Sequence, residues 1–305
     1  MPMPHRTQMQ VIKRRLVGKD GAERIRELRA ILADLPGYRN GPYADIRKWV
    51  ESQLEQTRTR KRVVHRDSIA VRREGAAQIA FVGPPNAGKS SLLQALSAVQ
   101  IKTGDYAFTT TRPVPAVTRI GGVLVQLVEI PGLIEGASEG RGGGRPLLGV
   151  LRDADAILYC QDASADPSAL LTVIEEVRAA GIDHRAAVAA TKTDEADPTA
   201  VERLRSTFPE LDVVTVSVLD DQSLDRLRDL LWDLTGLVRV HLRDDEDPVA
   251  LPPPVTVRDV ADSIHHELGA RCEGARVWGP SARFPGQRVG PAHVLADGDS
   301  VEIVD

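Results

Sequence analysis

Apolar residues recur at intervals of three and four in two stretches near the start of the chain. The first stretch spans residues 20–35, and the second runs over residues 43–62. This spacing places the apolar side chains on one face of a helix, and Pro36-Gly37 breaks the pattern between them. We therefore predict an antiparallel helical hairpin. Its apolar positions are Ile25, Leu28, Leu32 and Leu35, followed by Ile46, Trp49, Val50 and Leu54.

Short apolar runs alternate with helix-like stretches between residues 78 and 236. Such alternation is typical of a mostly parallel sheet that is covered by helices on both faces. The predicted fold class is therefore α/β, with a doubly wound, mostly parallel sheet. The strand-like runs are Ile79–Val82, Val123–Ile130, Ala156–Tyr159, Ala186–Ala190 and Val213–Val216. The helix-like stretches are Ser90–Leu96, Leu170–Arg178, Val201–Thr207 and Leu224–Leu234.

The pattern changes again after Gly236. A strand-like run at Val255–Val257, an amphipathic stretch and two further strand-like runs, Ala275–Trp278 and Ser300–Val304, predict a small α+β module. We divide the chain into a basic helical hairpin region (1–75), a sheet domain (76–236) and a C-terminal domain (237–305).

Charge is distributed unevenly along the chain. Residues 1–75 carry 18 Lys and Arg against 9 Asp and Glu, whereas the whole chain has a net charge of −4. A basic front end on an acidic protein indicates one segment that faces a polyanion. The basic cluster of Arg58, Arg60, Lys61, Arg62 and Arg66 is either an RNA-contacting arm or a solvated helix end, and both interpretations stay open.

Cysteine content and hydropathy exclude several classes of protein. Cys160 and Cys272 are too far apart in the sequence for a zinc cluster, and two cysteines make no disulfide framework. No apolar run approaches the roughly 18 residues of a membrane-spanning helix. We therefore expect a cytoplasmic protein with no membrane partner.

The strongest local signal is Gly83-Pro84-Pro85-Asn86-Ala87-Gly88-Lys89-Ser90, which fits the pattern G-x-x-x-x-G-K-[ST]. It follows the apolar run IAFV and precedes SSLLQAL, which is the strand–loop–helix context of a phosphate-binding loop. The glycines let successive N–H groups face phosphates, and the helix start adds its positive dipole end. We expect Lys89 at the β- and γ-phosphates, Ser90 on Mg²⁺ and Ser91 as a further nucleotide contact.

A second motif, Thr191-Lys192-Thr193-Asp194, directly follows the apolar run AAVAA. The Asp194 carboxylate can accept hydrogen bonds from both N1–H and the 2-amino group of guanine. Adenine offers a lone pair at N1 and has no 2-amino group, so the same carboxylate disfavours it. The motif therefore predicts guanine selection.

Two segments between these motifs fit the γ-phosphate end of a nucleotide. The loop Phe108-Thr109-Thr110-Thr111 offers a hydroxyl to Mg²⁺, and Glu129-Ile130-Pro131-Gly132 ends the run VLVQLV. There a carboxylate can hold a Mg²⁺-bound water, and the Gly132 N–H can meet the γ-phosphate. The glycine-rich residues 140–144 have little intrinsic order, which suits a nucleotide-dependent switch.

In order and spacing, the segments GPPNAGKSSLLQALS, YAFTTTRPVPA, EIPGLIEGASEGRGGGR and TKTD resemble the Obg-related translation GTPases, and within them the developmentally regulated GTP-binding (DRG) group. The last segment, ARVWGPSARFPGQRVGPAHVLADGDSVEIVD, is similar to the TGS domain that ends those proteins. The resemblance implies a P-loop GTPase fold, a β-grasp-like TGS domain, GTP or GDP as ligand, and ribosomes or structured RNA as partner. It also implies guanine-nucleotide contacts at Gly83–Ser90, Phe108–Arg112, Glu129–Gly132, Thr191–Asp194 and Ser217-Val218-Leu219, with Mg²⁺ on Ser90 and Thr110.

The chain departs from the family pattern at three places. Glu129 stands where members usually have Asp, and its extra methylene changes the reach toward a Mg²⁺-bound water. Thr191 replaces the usual Asn, although its hydroxyl can partly substitute for the amide that braces the phosphate loop. Between Asp162 and Ala186 there is little room for the small domain that typical members carry there.

Hydrolysis in this chain needs a source of transition-state stabilisation. Many GTPases place a Gln after the D-x-x-G element to orient the attacking water, whereas this chain has Leu133. In similar GTPases, Asn at the position of Asn86 holds a K⁺ that supplies charge along the phosphates; otherwise Asn86 only braces the loop. We predict slow, K⁺-stimulated hydrolysis. The groups expected at the transferred phosphate are Lys89, Thr110, Gly132 and Asn86.

Two functional hypotheses remain open at this point. The first is a GTP-hydrolysing switch that acts with ribosomes or structured RNA, and that has a regulatory protein as a possible partner. The second is a nucleotide-gated module that docks RNA or protein with little or no hydrolysis, because of Glu129 and Thr191. An ATPase is disfavoured by Asp194.

Overall fold

The computed structural model describes residues 5–19, 21–35, 41–59, 71–97, 112–131, 144–197, 199–243 and 247–304. Three units follow one another along the chain: a helical unit, a central sheet with helices on both faces, and a C-terminal unit of strands and short helices. Within the described residues, none of the helices combines the length and the apolar character needed to cross a bilayer.

The N-terminal unit contains three helices: α1 (His5–Leu16), α2 (Gly21–Asp34) and α3 (Pro42–Thr59). The predicted hairpin is present as α2 and α3, which pack on each other. Helix α1 lies before the stretches in which we predicted helices; Ile12 and Leu16 are buried in the core of this unit, and Met9 packs against it. The predicted pair of helices is therefore present, and α1 is an additional helix that precedes it.

The central unit is built on a six-stranded sheet with the order β2-β3-β1-β4-β5-β6. All neighbouring pairs are parallel except β2 and β3, which are antiparallel. The strands are β1 (Ala77–Val82), β2 (Val114–Ile120), β3 (Val123–Glu129), β4 (Ala156–Asp162), β5 (Arg185–Thr191) and β6 (Asp212–Thr215). The predicted doubly wound, mostly parallel sheet is confirmed.

Helices cover both faces of this sheet, which explains why β1 is buried along its whole length. Alternate residues of β1 face opposite sides: Ile79 and Phe81 belong to one apolar cluster, and Ala80 and Val82 to the other. The first cluster includes residues of α4 (Lys89–Leu96) and α8 (Asp221–Thr235). The second includes residues of α5 (Gly144–Asp153), α6 (Ser168–Ala179) and α7 (Ala200–Thr207).

Two elements of the central unit differ from the sequence-based expectation. Strand β2 is not among the predicted runs, and it forms the antiparallel edge of the sheet. Helix α5 begins at Gly144, the last residue of the glycine-rich stretch for which we expected little order. Its stability comes from tertiary packing, since Leu148 and Leu151 are buried in the core beneath it.

The C-terminal unit is an α+β module, as predicted. Its main sheet has the order β11-β10-β13-β7-β8, and β9 pairs with β12 in a separate two-stranded ladder. The predicted strand over 255–257 is too long, because the Thr256 side chain caps a helix that starts at Val257. The elements are β7 (Val238–Leu242), β8 (Val249–Leu251), β9 (Val255–Thr256), α9 (Val257–Ile264), α10 (His266–Arg271), β10 (Gly274–Trp278), β11 (Gln287–Val289), β12 (Val294–Leu295) and β13 (Asp299–Val304).

Candidate nucleotide site

The predicted motifs meet at one edge of the central sheet. The loop 83–88 leaves the carboxyl end of β1, Glu129 ends β3, and Thr191 ends β5. Because β1 lies between β3 and β4, and β5 is next to β4, these strand ends are neighbours. Ligands of open α/β sheets bind outside the carboxyl ends of the strands. The residues predicted to contact the phosphates, the metal and the base therefore lie where this fold class binds its ligand.

The loop 83–88 packs so closely on its neighbours that two of its positions require glycine. A Cβ atom at Gly83 would lie 2.2 Å from the Cys160 carbonyl oxygen, well inside van der Waals contact. Gly88 has a φ of +81°, and its Cβ atom would lie 3.2 Å from the Thr191 Oγ1. Asn86 also has a positive φ of 62°, which Asn tolerates better than most residues do. The backbone thus has the tight curl that phosphate binding needs.

Lys89 closes this curl from inside. Its Nζ donates hydrogen bonds of 2.8 Å to the carbonyl oxygens of Gly83 and Pro84, and the residue is only 6% exposed. Burial lowers the pKa of the ammonium group, while the nearby Glu129 carboxylate opposes that shift. A buried cation at the opening of a loop that leads into a helix N-terminus is a strong point of attraction for a phosphate group.

Ser90 and Glu129 form the candidate Mg²⁺ position. The Ser90 hydroxyl donates a 2.7 Å hydrogen bond to Glu129 Oε1, so the longer side chain reaches the hydroxyl directly. Burial raises the pKa of Glu129, and the Ser90 hydrogen bond and the Lys89 charge oppose this. Glu129 Oε2 is buried and has no hydrogen-bond partner among the residues that the structure describes. A hydroxyl and a carboxylate oxygen with spare acceptor capacity are the hard donors that suit Mg²⁺.

The described residues contain no cluster of three or more His, Cys, Asp or Glu that could cage a metal ion. A Mg²⁺ ion bound through one or two protein oxygens and the nucleotide's phosphates does not need such a cage. Ser90 and Glu129 therefore fit Mg²⁺ that arrives with a nucleotide.

Thr191 connects β5 to the phosphate loop. Its Oγ1 lies 3.0 Å from the Ala87 carbonyl oxygen and 3.1 Å from that of Gln161, and the residue is 3% exposed. The hydroxyl can donate to both carbonyls in a three-centre hydrogen bond. The Thr191 hydroxyl thus makes the contact with the loop for which the resemblance implies an Asn amide.

The two segments predicted to recognise the base, 191–194 and 217–219, are joined by a side-chain hydrogen bond. Ser217 Oγ donates to Asp194 Oδ1 at 2.7 Å, which orients the carboxylate. The same Ser217 oxygen accepts from the Leu219 N–H, and the Ser217 N–H donates to Ser223 Oγ in α8. The Asp194 carboxylate is thus connected through Ser217 to Ser223 in α8, the helix that follows residues 217–219.

Lys192 is fixed from the neighbouring strand. Its φ is +55°, and its Nζ forms a 2.7 Å ion pair with Asp162 Oδ2 at the end of β4. Asp162 was not a predicted site residue. An acidic residue at the end of an apolar run is the only sequence signal that could have found it.

Some of the predicted site residues lie outside the described residues, and others have side chains that are buried away from a nucleotide. The predicted residues Phe108, Thr109, Thr110 and Gly132 lie outside the described residues. The Ile130 side chain is completely buried in a core cluster, so only its backbone is available to a nucleotide. Pro131 is also buried, whereas Asn86 and Pro85 are exposed on the loop.

Comparison with known proteins gives two family matches. Residues 78–192 match the family model of 50S ribosome-binding GTPases, and residues 238–305 match that of the TGS domain. The developmentally-regulated GTP-binding protein 2 homolog of Dictyostelium discoideum is 30% identical over 310 positions, which cover 78% of this chain and 85% of that protein. Ribosome-interacting GTPase 1 of Saccharomyces cerevisiae is 28% identical, with 77% of this chain and 84% of that protein covered. A solved structure of an Era variant from Aquifex aeolicus, bound to GDP and aluminium fluoride, covers 67% of this chain and 72% of its own, with 21% identity and a TM-score of 0.44.

The alignment with the Dictyostelium protein also bears on the predicted missing insertion. The alignment has 310 positions, although it covers only 78% of the 305 residues of this chain. The Dictyostelium protein therefore contains residues that this chain lacks. In this chain, β4 and β5 are connected through α6 and short loops. All residues between Asp162 and Ala186 are described, and they form only α6, the loops on either side of it and the first residue of β5. This segment therefore contains no inserted domain.

Proposed function

Because this chain belongs to the developmentally regulated GTP-binding proteins, we propose that it is a GTPase whose nucleotide state switches its binding to ribosomes or structured RNA. One observation carries this proposal. Lys89, Ser90 and Glu129 on the phosphate side, and Asp194 with Ser217 on the base side, converge at neighbouring strand ends. The name of the yeast relative, a ribosome-interacting GTPase, supports the choice of partner.

The phosphate side of the site would bind the β- and γ-phosphates. Lys89 would exchange part of its bonding to the Gly83 and Pro84 carbonyls for phosphate oxygens, which are better partners for a buried ammonium group. Ser90, with Thr110 from outside the described residues, would hold Mg²⁺. When bound, Mg²⁺ supplies positive charge to the β- and γ-phosphate oxygens. The buried Glu129 would orient the Ser90 hydroxyl and offer its second oxygen to the water shell of the metal.

The base side would select guanine. Asp194 would accept from the N1–H and the 2-amino group, and the Ser217 hydroxyl would keep the carboxylate in position. A purine without these donors would leave a carboxylate oxygen unpaired, which accounts for rejection of adenine. Lys192, held by Asp162, would lie beside the base.

Slow, K⁺-stimulated hydrolysis is the finer part of the proposal. Leu133 has no group to orient water, so additional positive charge along the phosphates would come from K⁺ near the exposed Asn86. Phosphate release should be several-fold faster in KCl than in NaCl, and Asn86→Ala should remove that difference. Gln94→Ala, which changes an amide on α4 instead of one in the phosphate loop, is the matched control. Equal rates of wild type in the two salts would remove Asn86 from this role.

A second candidate function is a nucleotide-gated docking module with little or no hydrolysis. The direct bond between Glu129 and Ser90 favours it, because a longer carboxylate changes the water geometry at the metal. Turnover measured with and without ribosomes separates the two. No release of phosphate above background under either condition would favour the module.

The basic N-terminal unit is the proposed polyanion-binding surface. Arg26 and Arg29 of α2 and Lys48 of α3 are exposed. Replacing all three with Gln should weaken co-sedimentation with ribosomes, and the difference from wild type should shrink at high salt. The matched control replaces three exposed arginines of the central unit, Arg178, Arg203 and Arg205.

Both sets of variants should be compared with a GTP analogue and with GDP bound. An equal loss of co-sedimentation in the two sets would show that ribosome binding depends only on the total charge, and would count against a specific role of the N-terminal unit. A regulatory protein partner and a cytoplasmic location remain predictions that depend on this ribosome-directed role.

A further inference from the structure

Helix α1 lies against the central unit beside the two base-recognition loops. One groove is lined from α1 and the turn after it by Lys13, Leu16 and Val17, and from the central unit by Gln94 and Val218, among others. Val218 belongs to the second base-recognition loop. The N-terminal unit therefore meets the central unit at the base end of the proposed site and not at its phosphate end.

The Lys13 ammonium group contacts both the central unit and the N-terminal unit. Its side chain is 11% exposed, and its Nζ forms a 2.7 Å ion pair with Asp221 Oδ2 in the first turn of α8. The same Nζ lies 5.7 Å from the centre of the Trp49 ring of α3. Trp49 thus positions the Lys13 ammonium from within the N-terminal unit, while Asp221 anchors it to the helix that follows Ser217–Leu219.

The next residue of α1 reaches the other base-recognition loop. Arg14 lies 3.8 Å from Asp194 Oδ2, while Asp194 Oδ1 accepts the Ser217 hydrogen bond. At this distance the guanidinium is an ion-pair neighbour that leaves the oxygen free to accept a hydrogen bond. Ser217 is bonded to Ser223 of α8. Two adjacent cations of α1 therefore contact both parts of the proposed base pocket: Arg14 lies beside the Asp194 carboxylate, and Lys13 pairs with the first turn of α8, the helix that carries Ser223.

We propose that α1 is a positioning element of the guanine pocket: Lys13 and Arg14 hold the loops 191–194 and 217–219 in the arrangement that accepts the base. This inference rests on the proposed guanine recognition by Asp194. Since GDP and GTP carry the same base, α1 strengthens the binding of both equally. By thermodynamic reciprocity, a bound guanine nucleotide stabilises the docking of the N-terminal unit by the same factor.

The test measures GDP and GTP affinity and GDP dissociation rate in the full chain. Lys13→Met keeps the apolar stem and removes the charge, and Arg14→Gln keeps a polar side chain. Each should weaken both nucleotides by about twofold to threefold, and the double variant by about fivefold, as expected for ion pairs in which one partner is largely exposed. The conservative variants Lys13→Arg and Arg14→Lys should restore most of the affinity.

Arg15→Gln is the matched control. Arg15 is on the same helix, but it pairs with Glu27 inside the N-terminal unit at 2.7 Å. It should leave nucleotide affinity unchanged even if it lowers the stability of that unit. In hydrogen exchange, GDP should slow the amides of α1 in wild type and not in the double variant.

Three results would overturn the inference: affinities of the Lys13 and Arg14 variants equal to that of Arg15→Gln, tighter binding in Arg14→Gln, or a loss for GTP that GDP does not share. Tighter binding would mean that Arg14 competes with the base for Asp194. If wild type itself bound no guanine nucleotide, the proposed function would fail, and that result is distinct from wild-type binding that the variants leave unchanged.

Discussion

The substitution Thr191→Val tests how the sheet holds the phosphate loop. Valine keeps the branched shape and removes the hydroxyl that lies 3.0 and 3.1 Å from the carbonyl oxygens of Ala87 and Gln161. With Thr191 only 3% exposed, water has little access to replace that donor. Leaving a buried acceptor without its donor costs about 1–3 kcal/mol. We expect the free energy of unfolding to fall by about 1–2 kcal/mol.

The same substitution should weaken nucleotide binding, because the Ala87 carbonyl is part of the phosphate loop. A loss of about 1.4 kcal/mol in binding corresponds to a tenfold higher Kd for GDP. Chemical denaturation gives the stability, and calorimetric titration gives the affinity. Thr235→Val is the matched control, since Thr235 Oγ1 donates to the Trp232 carbonyl at 2.7 Å and accepts from the Leu237 N–H, at the far end of α8.

Both variants should be less stable than wild type, and only Thr191→Val should bind GDP more weakly. The reasoning is refuted if Thr191→Val is destabilised but binds GDP as tightly as Thr235→Val does. Thr191 would then hold β5 to its neighbours without setting the shape of the loop.

Three further predictions follow from the contacts of other residues. Gly83→Ala would place a methyl group 2.2 Å from the Cys160 carbonyl oxygen, so thermal unfolding should show a loss of about 1–3 kcal/mol, and GTP binding should weaken as the loop shifts. Burial alone would raise the pKa of Asp162, but hydrogen bonds, of which that from Lys192 is the largest, outweigh burial and hold this pKa below its ordinary value. The ionised carboxylate therefore stabilises the fold above about pH 4, and this stabilisation is lost on acidification. Between about pH 5 and pH 2, the unfolding midpoint should fall less steeply in Asp162→Asn than in wild type. Thr256→Ala removes the side-chain cap of α9 and should lower stability in urea by about 1 kcal/mol without changing GDP affinity.

Local patterns in the sequence were sufficient for most of the central unit. Strands β1, β4 and β5 each contain a continuous apolar run, at residues 79–82, 156–160 and 186–190, because helices cover both faces of the sheet. The phosphate loop and the motif 191–194 directly follow such runs, and ligands of this fold class bind at the carboxyl ends of the strands, so the sequence alone predicts that the two motifs meet. Their meeting at one edge is therefore a consequence of the strand order and not of any long-range signal in the sequence.

The elements that escaped prediction depend on tertiary contacts. Strand β2 is an edge strand whose buried residues alternate with partly exposed ones, so it is not a continuous apolar run. Helix α5 contains Pro146 and Gly149, which are poor helix formers, and it is stabilised by burial of its leucines. The pairing of Lys13 with Asp221, and of Arg14 with Asp194, joins residues about two hundred positions apart. Charged residues on a helix carry no sequence signal that distinguishes such a contact from solvation.

Calorimetric titration of the full chain in Mg²⁺-containing buffer, with GTP and GDP against ATP and ADP, tests the central claim most directly. The arrangement of Lys89, Ser90 and Asp194 predicts that guanosine nucleotides bind at least about 100-fold more tightly than adenosine nucleotides do. It also predicts that Asp194→Ala removes most of that preference. Equal affinity of wild type for the two purines, or tighter binding of ATP, would contradict the account.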